Sequence, residues 1–103
     1  MSAPEYETLQ VIAPDGSVPD GIAAQARQVW ANIDAILREG GFGPTDIVSV
    51  TTYVVPGQDM AAVMAARSDY LGEHLVASTL VIVAALVRPE WLVETAVVAA
   101  RRP

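Results

Sequence analysis

The chain has 103 residues, 52% of them hydrophobic, with a net charge of −6 at pH 7 and no cysteine. Its 6 basic residues, all arginine and only Arg101-Arg102 adjacent, form no phosphate-neutralising stripe, which argues against nucleic-acid binding and an anionic membrane surface. The lack of cysteine excludes disulfides, a thiolate nucleophile and thiolate metal sites. The length suits one domain over residues 1–103 with one core. The hydrophobic content is high for a soluble monomer and fits a chain that buries area in an oligomer. No window reaches the ~18 uninterrupted apolar residues of a spanning helix. Met1–Gln10 (MSAPEYETLQ) shows neither a basic nor an apolar signal-peptide region, so a cytoplasmic location is expected.

In chain order, Tyr6–Ala13 has strand character and ends at the turn residues Pro14-Asp15-Gly16-Ser17, which predicts a strand at about Glu7–Ile12. Asp20 is a candidate N-cap for a helix over about Gly21–Glu39. Ile22, Ala26, Val29, Trp30, Ile33, Ile36 and Leu37 form one apolar stripe on it, with Arg27, Asp34 and Arg38 off the stripe. Gly40-Gly41 ends that helix. Trp30, in mid-stripe, reads as core and not as a stacking platform for a ligand.

After the loop at Phe42–Asp46, Ile47–Val55 is dense in β-branched residues and reads as a strand. Its hydroxyls, on Thr51, Thr52 and Tyr53, read as cross-strand pairing. Asp59 caps a second helix, about Met60–Tyr70, with Met60, Val63, Met64, Arg67, Tyr70 and Leu71 at helical spacing, and Gly72 ends it. His74, the lone histidine, reads as a solvated loop residue, and nothing accompanies it to build a metal site.

The stretch Ser78–Ala100 holds two apolar runs around Val87-Arg88-Pro89-Glu90. It reads as an antiparallel hairpin, about Thr79–Ala85 and Trp91–Ala99, apolar on both faces. The order is thus β-α-β-α-β-β, an α+β fold with one sheet and two helices on one face. The other face, also apolar, would be covered by a partner subunit.

Phosphate loops, nucleophile elbows and zinc spacings are absent from the sequence. One carboxylate, Glu94, stands among apolar residues, with Ser78-Thr79 at the mouth of the preceding strand. Burial there would raise its pKa and suit it to general acid or base work. The competing reading is an ion pair with an arginine, within the chain or across a subunit boundary.

Four stretches carry a family likeness. They are Gln10–Gly16 with Ile22–Ile33; Gly40-Gly41 with Asp46–Thr51; Tyr70-Leu71-Gly72-Glu73-His74; and Ala77 through Leu92-Val93-Glu94. In these the chain resembles the Rid family of reactive intermediate deaminases, also called YjgF or L-PSP proteins, over about Gln10–Ala99. The resemblance implies a chorismate-mutase-like fold and a homotrimer whose sheets form a central barrel. It also implies small-molecule clefts between subunits and no metal or cofactor. Active members hydrolyse enamines and imines to keto acids and ammonia, with an arginine on the substrate carboxylate and a glutamate positioning or activating water.

The departures from the family pattern concern the site. Ser78, in Val76-Ala77-Ser78-Thr79, stands where the family has its arginine. A hydroxyl cannot replace a bidentate, permanently charged clamp, whose loss costs about 2–5 kcal/mol when buried. Met64 takes the place of a polar asparagine and Leu80 that of a small residue or cysteine. Thr8-Leu9-Gln10 replaces Ser-Gly-Gln. Thr8, Met64, Ser78 and Leu80 are therefore the expected cleft positions, and Glu94 the one retained catalytic candidate. Relative to the family the chain starts near the second strand, which would leave a sheet edge unpaired unless Met1–Glu7 or another subunit covers it. The expectation is a trimeric small-molecule-binding protein with a modified cleft. It would be a divergent imine, enamine or carbonyl hydrolase with absent or weak 2-iminopropionate deaminase activity, or else a non-catalytic binding module. An endoribonuclease is the least expected function.

Overall fold

The computed structural model describes residues 8–9 and 11–101. Its elements are β1 (Thr8–Leu9), α1 (Ile22–Glu39), a 3-10 turn (Pro44–Asp46), β2 (Ile47–Val54), α2 (Met60–Leu71), β3 (Ala77–Ile82) and β4 (Val93–Ala99). They make one mixed sheet in the order β1-β4-β2-β3. The α+β class, the element order and the two helices match the sequence reading.

The hairpin does not. β3 and β4 are not neighbours, because β2 lies between them, antiparallel to β4 and parallel to β3. The β2-α2-β3 segment is a crossover unit that returns the chain to the same sheet in parallel. Residues 83–92, far longer than a tight turn, then carry the chain past β2 to β4. β3 consequently becomes an edge strand, exposed at all six positions, and not a central one.

β4 throughout and β2 from Ser49 onward alternate between buried and half-buried positions. Val50, Thr52 and Val54 on one strand and Val93, Thr95, Val97 and Ala99 on the other are buried. With Ala26, Val29, Trp30, Ile33 and Leu37 of α1 and Val63, Ala66 and Leu71 of α2 they form one core. Both helices therefore cover one face of the sheet. Thr52 and Thr95 are buried register partners, so the pairing role read for Thr52 holds. Val48 is the extra residue of a bulge between the Ile47–Ala99 and Ser49–Val98 pairs; it reconciles a buried Ile47 with the alternation that follows.

The ends of the helices follow local chemistry. Asp59 caps α2, its carboxylate accepting from the Ala61 N–H at 3.0 Å. Asp20 does not cap α1: the N-cap is Gly21, at a φ of 87° and without a side-chain bond. Gly41, at a φ of 79°, supplies the left-handed residue that ends α1, and the Phe42 N–H then donates to the Leu37 carbonyl at 2.7 Å. Among the described residues of the expected first strand, Thr8–Leu9 are in the ladder and Val11 is outside it, buried in the core; Glu7 and Gln10 lie outside the described residues, as does the stretch from Met1.

Gln25 links α1 to the approach to β4. This buried side chain on α1 donates to the carbonyls of Pro19 (3.1 Å) and Glu90 (2.8 Å) and accepts from the Leu92 N–H (2.8 Å). An amide, with two donors and an acceptor, meets all three demands at once. It stitches α1 to the chain just before Val93.

His74 is also tied down and not simply solvated. Its Nε2 lies 2.8 Å from the Ile47 carbonyl oxygen. That oxygen can only accept, so Nε2 donates, and the α2–β3 loop is bound to the start of β2.

Candidate functional site

The strand registers place the candidates. Side chains at paired positions point to the same side of a sheet, and positions one apart point to opposite sides. Glu94 pairs with Tyr53, and Tyr53 with Val81, so these three form a row on the face that no helix covers. The next row holds Ala96, Thr51 and Thr79, with the Thr8 backbone opposite Ala96 at the edge. Ser78 pairs with Val50 and Leu80 with Thr52, both members of the helix-covered layer. Met64 lies on α2, in that layer too.

Within one protomer, therefore, Ser78 and Leu80 stand on one face of the sheet and Glu94 on the other. Ser78 and Leu80 stand on the helix-covered side of the outer strand, and Met64 lies on one of the two helices of that layer. The structure does not bring Glu94 to them. Leu80 and Met64 are each 38% exposed, so this side is apolar and open at the β3 edge.

Glu94 is half-buried on the uncovered face. Burial raises its pKa above the usual glutamate range, and no compensating cause opposes the shift. No described residue forms an ion pair or hydrogen bond with it; the described ion pairs are Arg27–Asp69 at 2.8 Å and Arg38–Asp34 at 2.7 Å, both on the helices. A carboxyl whose proton is held to higher pH can donate to a basic nitrogen, and its conjugate base can accept from water. No cluster of three or more His, Cys, Asp or Glu side chains suited to a metal ion occurs among the described residues.

Tyr53 pairs across strands as the sequence suggests, and its register partner is Glu94 in the open row, a neighbour that depends on β4 pairing with β2 and is not marked locally. Nothing local marks Gln25, an amide on α1, as the anchor for a segment 65 residues away.

The sequence model of the endoribonuclease L-PSP family matches residues 10–101. The chain belongs to the Rid family, the YjgF or L-PSP proteins. Among curated Rid relatives, the 2-iminobutanoate/2-iminopropanoate deaminase of Escherichia coli K12 is 41% identical over 59 residues, 57% of this chain and 46% of that enzyme. A RutC family protein of Pyrococcus horikoshii is 38% identical over 56 residues, 54% of this chain and 44% of the relative. The matched part thus spans about half the length of the curated relatives. Among solved Rid structures, that of the Escherichia coli YjgF gene product superposes with a TM-score of 0.85 at 34% identity, covering 93% of this chain and 78% of the other. A Rid family protein of unknown function from Yersinia pestis gives a TM-score of 0.79 at 33% identity, with the same coverage. No helix among the described residues is long and apolar enough to cross a membrane.

Proposed function

We propose that this Rid protein is a single-domain, chorismate-mutase-like homotrimer whose uncovered sheet faces close into a central barrel. Modified clefts between its protomers would bind a small imine, enamine or related carbonyl compound. The observation that carries the reading is Glu94: a half-buried carboxyl with a raised pKa and no described partner, on the sheet face that neither described helix covers. Ser78 and Glu94 face opposite ways in one copy, so a site containing both requires the β3 edge of one protomer to meet the uncovered face of another. The all-exposed β3, with Leu80, Val81 and Ile82, supports such a contact.

The reaction this site suits is hydrolysis of a carbon–nitrogen double bond. Protonated Glu94 gives its proton to the imine nitrogen, which makes the carbon electrophilic. The resulting carboxylate then takes a proton from the attacking water. The carbinolamine collapses to a carbonyl compound and ammonia. No metal or cofactor enters this scheme. With Ser78 in the arginine position, 2-iminopropionate turnover is proposed to be absent or weak, and the protein to work in the cytoplasm.

A non-catalytic binding module is the second reading, favoured by the same Ser78. Endoribonuclease activity is the least supported, since a charge of −6 repels RNA phosphates. Sedimentation or light scattering tests the assembly, and a trimer mass is expected. Assay of small imines with the intact protein and with Glu94→Gln tests the chemistry. Equal turnover by both would remove Glu94 from the mechanism, while thermal stabilisation by a ligand without turnover would select the binding module.

A further inference from the structure

The Val55 N–H donates to the Leu92 carbonyl at 3.1 Å, so these two residues form a hydrogen-bonded pair between β2 and the approach to β4. Tyr53 and Glu94, two positions further along, form another of the same kind, with Cα atoms about 5.5 Å apart. On the same face of β2, β3 and β4 the next row holds Thr79, Thr51 and Ala96, and the row after it Ala77, Ser49 and Val98. None of these six side chains extends as far from its strand as a tyrosine or a glutamate. Tyr53 and Glu94 are thus one wall of a shallow trough floored by small side chains. That wall stands one residue from the end of the sheet at which β4 begins.

The wall is unbalanced in charge. Burial alone accounts for the raised Glu94 pKa, with no contribution from a neighbouring cation or anion. Among the described residues, neither the Glu94 nor the Tyr53 side chain has a hydrogen-bond, ion-pair or ring partner. Arg27, Arg38 and Arg67 lie on the helices, and Arg101 is engaged at the Gly40 carbonyl. Arg88 and Glu90 are exposed on the connection before β4. A glutamine or leucine would fill position 94 without the desolvation cost that a carboxylate carries there.

A carboxylate beside an aromatic ring, with no protein cation paired to it, suits an organic cation. The carboxylate supplies the counter-charge, and the electron-rich face of the ring adds a second attraction that grows as water is excluded. A ligand carrying its own carboxylate would set that group against Glu94, and like charges repel.

We propose that Tyr53 and Glu94 form a binding site for small organic cations that lack a carboxylate, with an iminium or alkylammonium group lying against the phenol ring and paired with the Glu94 carboxylate. This deepens the reading above, on which it rests, by naming the substrate class: imines of simple aldehydes and ketones, and not those of oxo acids. Once the imine nitrogen has taken the proton of Glu94, the iminium and the carboxylate are the ion pair this site holds. The ring of Tyr53 stabilises the positive charge until water attacks the carbon.

The test titrates the intact protein, 13C-labelled at the glutamate carboxyls and tyrosine rings, with isopropylammonium, isopropanol and alanine. Alanine is isopropylammonium with one methyl group replaced by a carboxylate. Isopropylammonium should shift the Glu94 carboxyl and Tyr53 ring resonances and bind at least about tenfold better than either of the others, as expected for a charge-assisted contact. Tyr53→Leu should weaken it at least about threefold, and Tyr53→Phe, which keeps the ring, should not. Glu94→Gln should remove the preference over isopropanol. Absence of any shift, equal binding of isopropylammonium and either of the other compounds, or equal affinity of Tyr53→Leu and Tyr53→Phe for the cation overturns the site. The comparison of the three compounds needs no variant, so it stands even if Tyr53→Leu fails to fold. Glu94-dependent imine turnover by a protein that binds all three alike would preserve the proposed chemistry and reject the cation site. Selective binding of isopropylammonium without such turnover would do the reverse.

Discussion

Tyr53 and Glu94 occupy directly opposed register positions on β2 and β4, on the face of the sheet that no helix covers. Adjacent strands lie about 5 Å apart, so a phenol and a carboxyl flank the same patch of a face that also carries Ser49, Thr51 and Thr79 among the small apolar residues Ala77, Ala96 and Val98. Val81 continues the row on β3. The carboxyl thus stands on an interior strand, one residue from the end of the sheet at which β4 begins and β2 and β3 finish. Any copy that covers this face desolvates it further.

Glu94 should make stability fall with rising pH. The unfolded chain releases this proton near the ordinary glutamate value of 4.5, while burial keeps it on the folded protein to a higher pH. Between the two values the native state binds more protons, so its stability is greatest below the unfolded pKa and declines as pH rises through the folded one. Glu94→Gln removes the ionisation. Its Tm should exceed that of the parent at pH 7, and the gap should close by about pH 4. Parallel melts across that range decide it; a constant gap at every pH would mean that burial does not perturb this carboxyl.

Gln25→Ala should destabilise by roughly 2–4 kcal/mol, because it strands two carbonyls and one N–H near the start of β4. Gln25→Glu should not rescue it, since a carboxylate keeps the acceptor and loses the donors. Urea midpoints measure the cost. Hydrogen exchange should quicken first at Leu92 and Val93, the residues next to the lost anchor. Protection unchanged there would show that β4 holds its entry without Gln25.

Val81→Arg separates a lone protomer from an assembly. The side chain is 38% exposed on an edge strand, so in a monomer the change should stay within about 0.5 kcal/mol. If β3 meets a second copy, a charge buried at that contact is unpaired and the oligomer should dissociate. Light scattering of both forms at equal concentration gives the answer. An undisturbed trimer would place β3 outside the contact.

Much of this fold is written in local signals. The α1 stripe through Val29, Trp30, Ile33 and Leu37, the Asp59 cap and the β-branched run of β2 each carry their own periodicity or capping chemistry. The pairing of β3 is not local. Two apolar runs separated by Arg88-Pro89-Glu90 look like a hairpin, and only the right-handed crossover preference shows that β3 can lie parallel beside β2. The site inherits that error: side-chain parity is legible along one strand, but whether Ser78 and Glu94 share a face depends on pairings that the sequence does not state. Asp20 illustrates the converse, a good capping residue placed one position too early, with Gly21 at a positive φ between it and the helix.

The last expectation concerns the junction of the helices behind the sheet. The Tyr70 hydroxyl donates to Asp34 at 2.9 Å, its ring stacks on Trp30 at 5.1 Å between centroids, and Arg38 donates to the other Asp34 oxygen at 2.7 Å. The Arg38 bond, with a smaller contribution from Tyr70, holds the Asp34 carboxyl below its usual pKa. A depressed carboxylate stabilises the fold above the unfolded pKa, and that contribution is lost as pH falls through the folded one. Tyr70→Phe keeps the stack and deletes one bond, so it should cost about 1 kcal/mol at pH 7. The cost should shrink once Asp34 is protonated, because a neutral acid is a poorer acceptor than a carboxylate. Urea unfolding of both proteins at pH 7 and at about pH 3 tests the coupling: a penalty that does not change with pH would assign the loss to packing around the ring and not to the bond with Asp34.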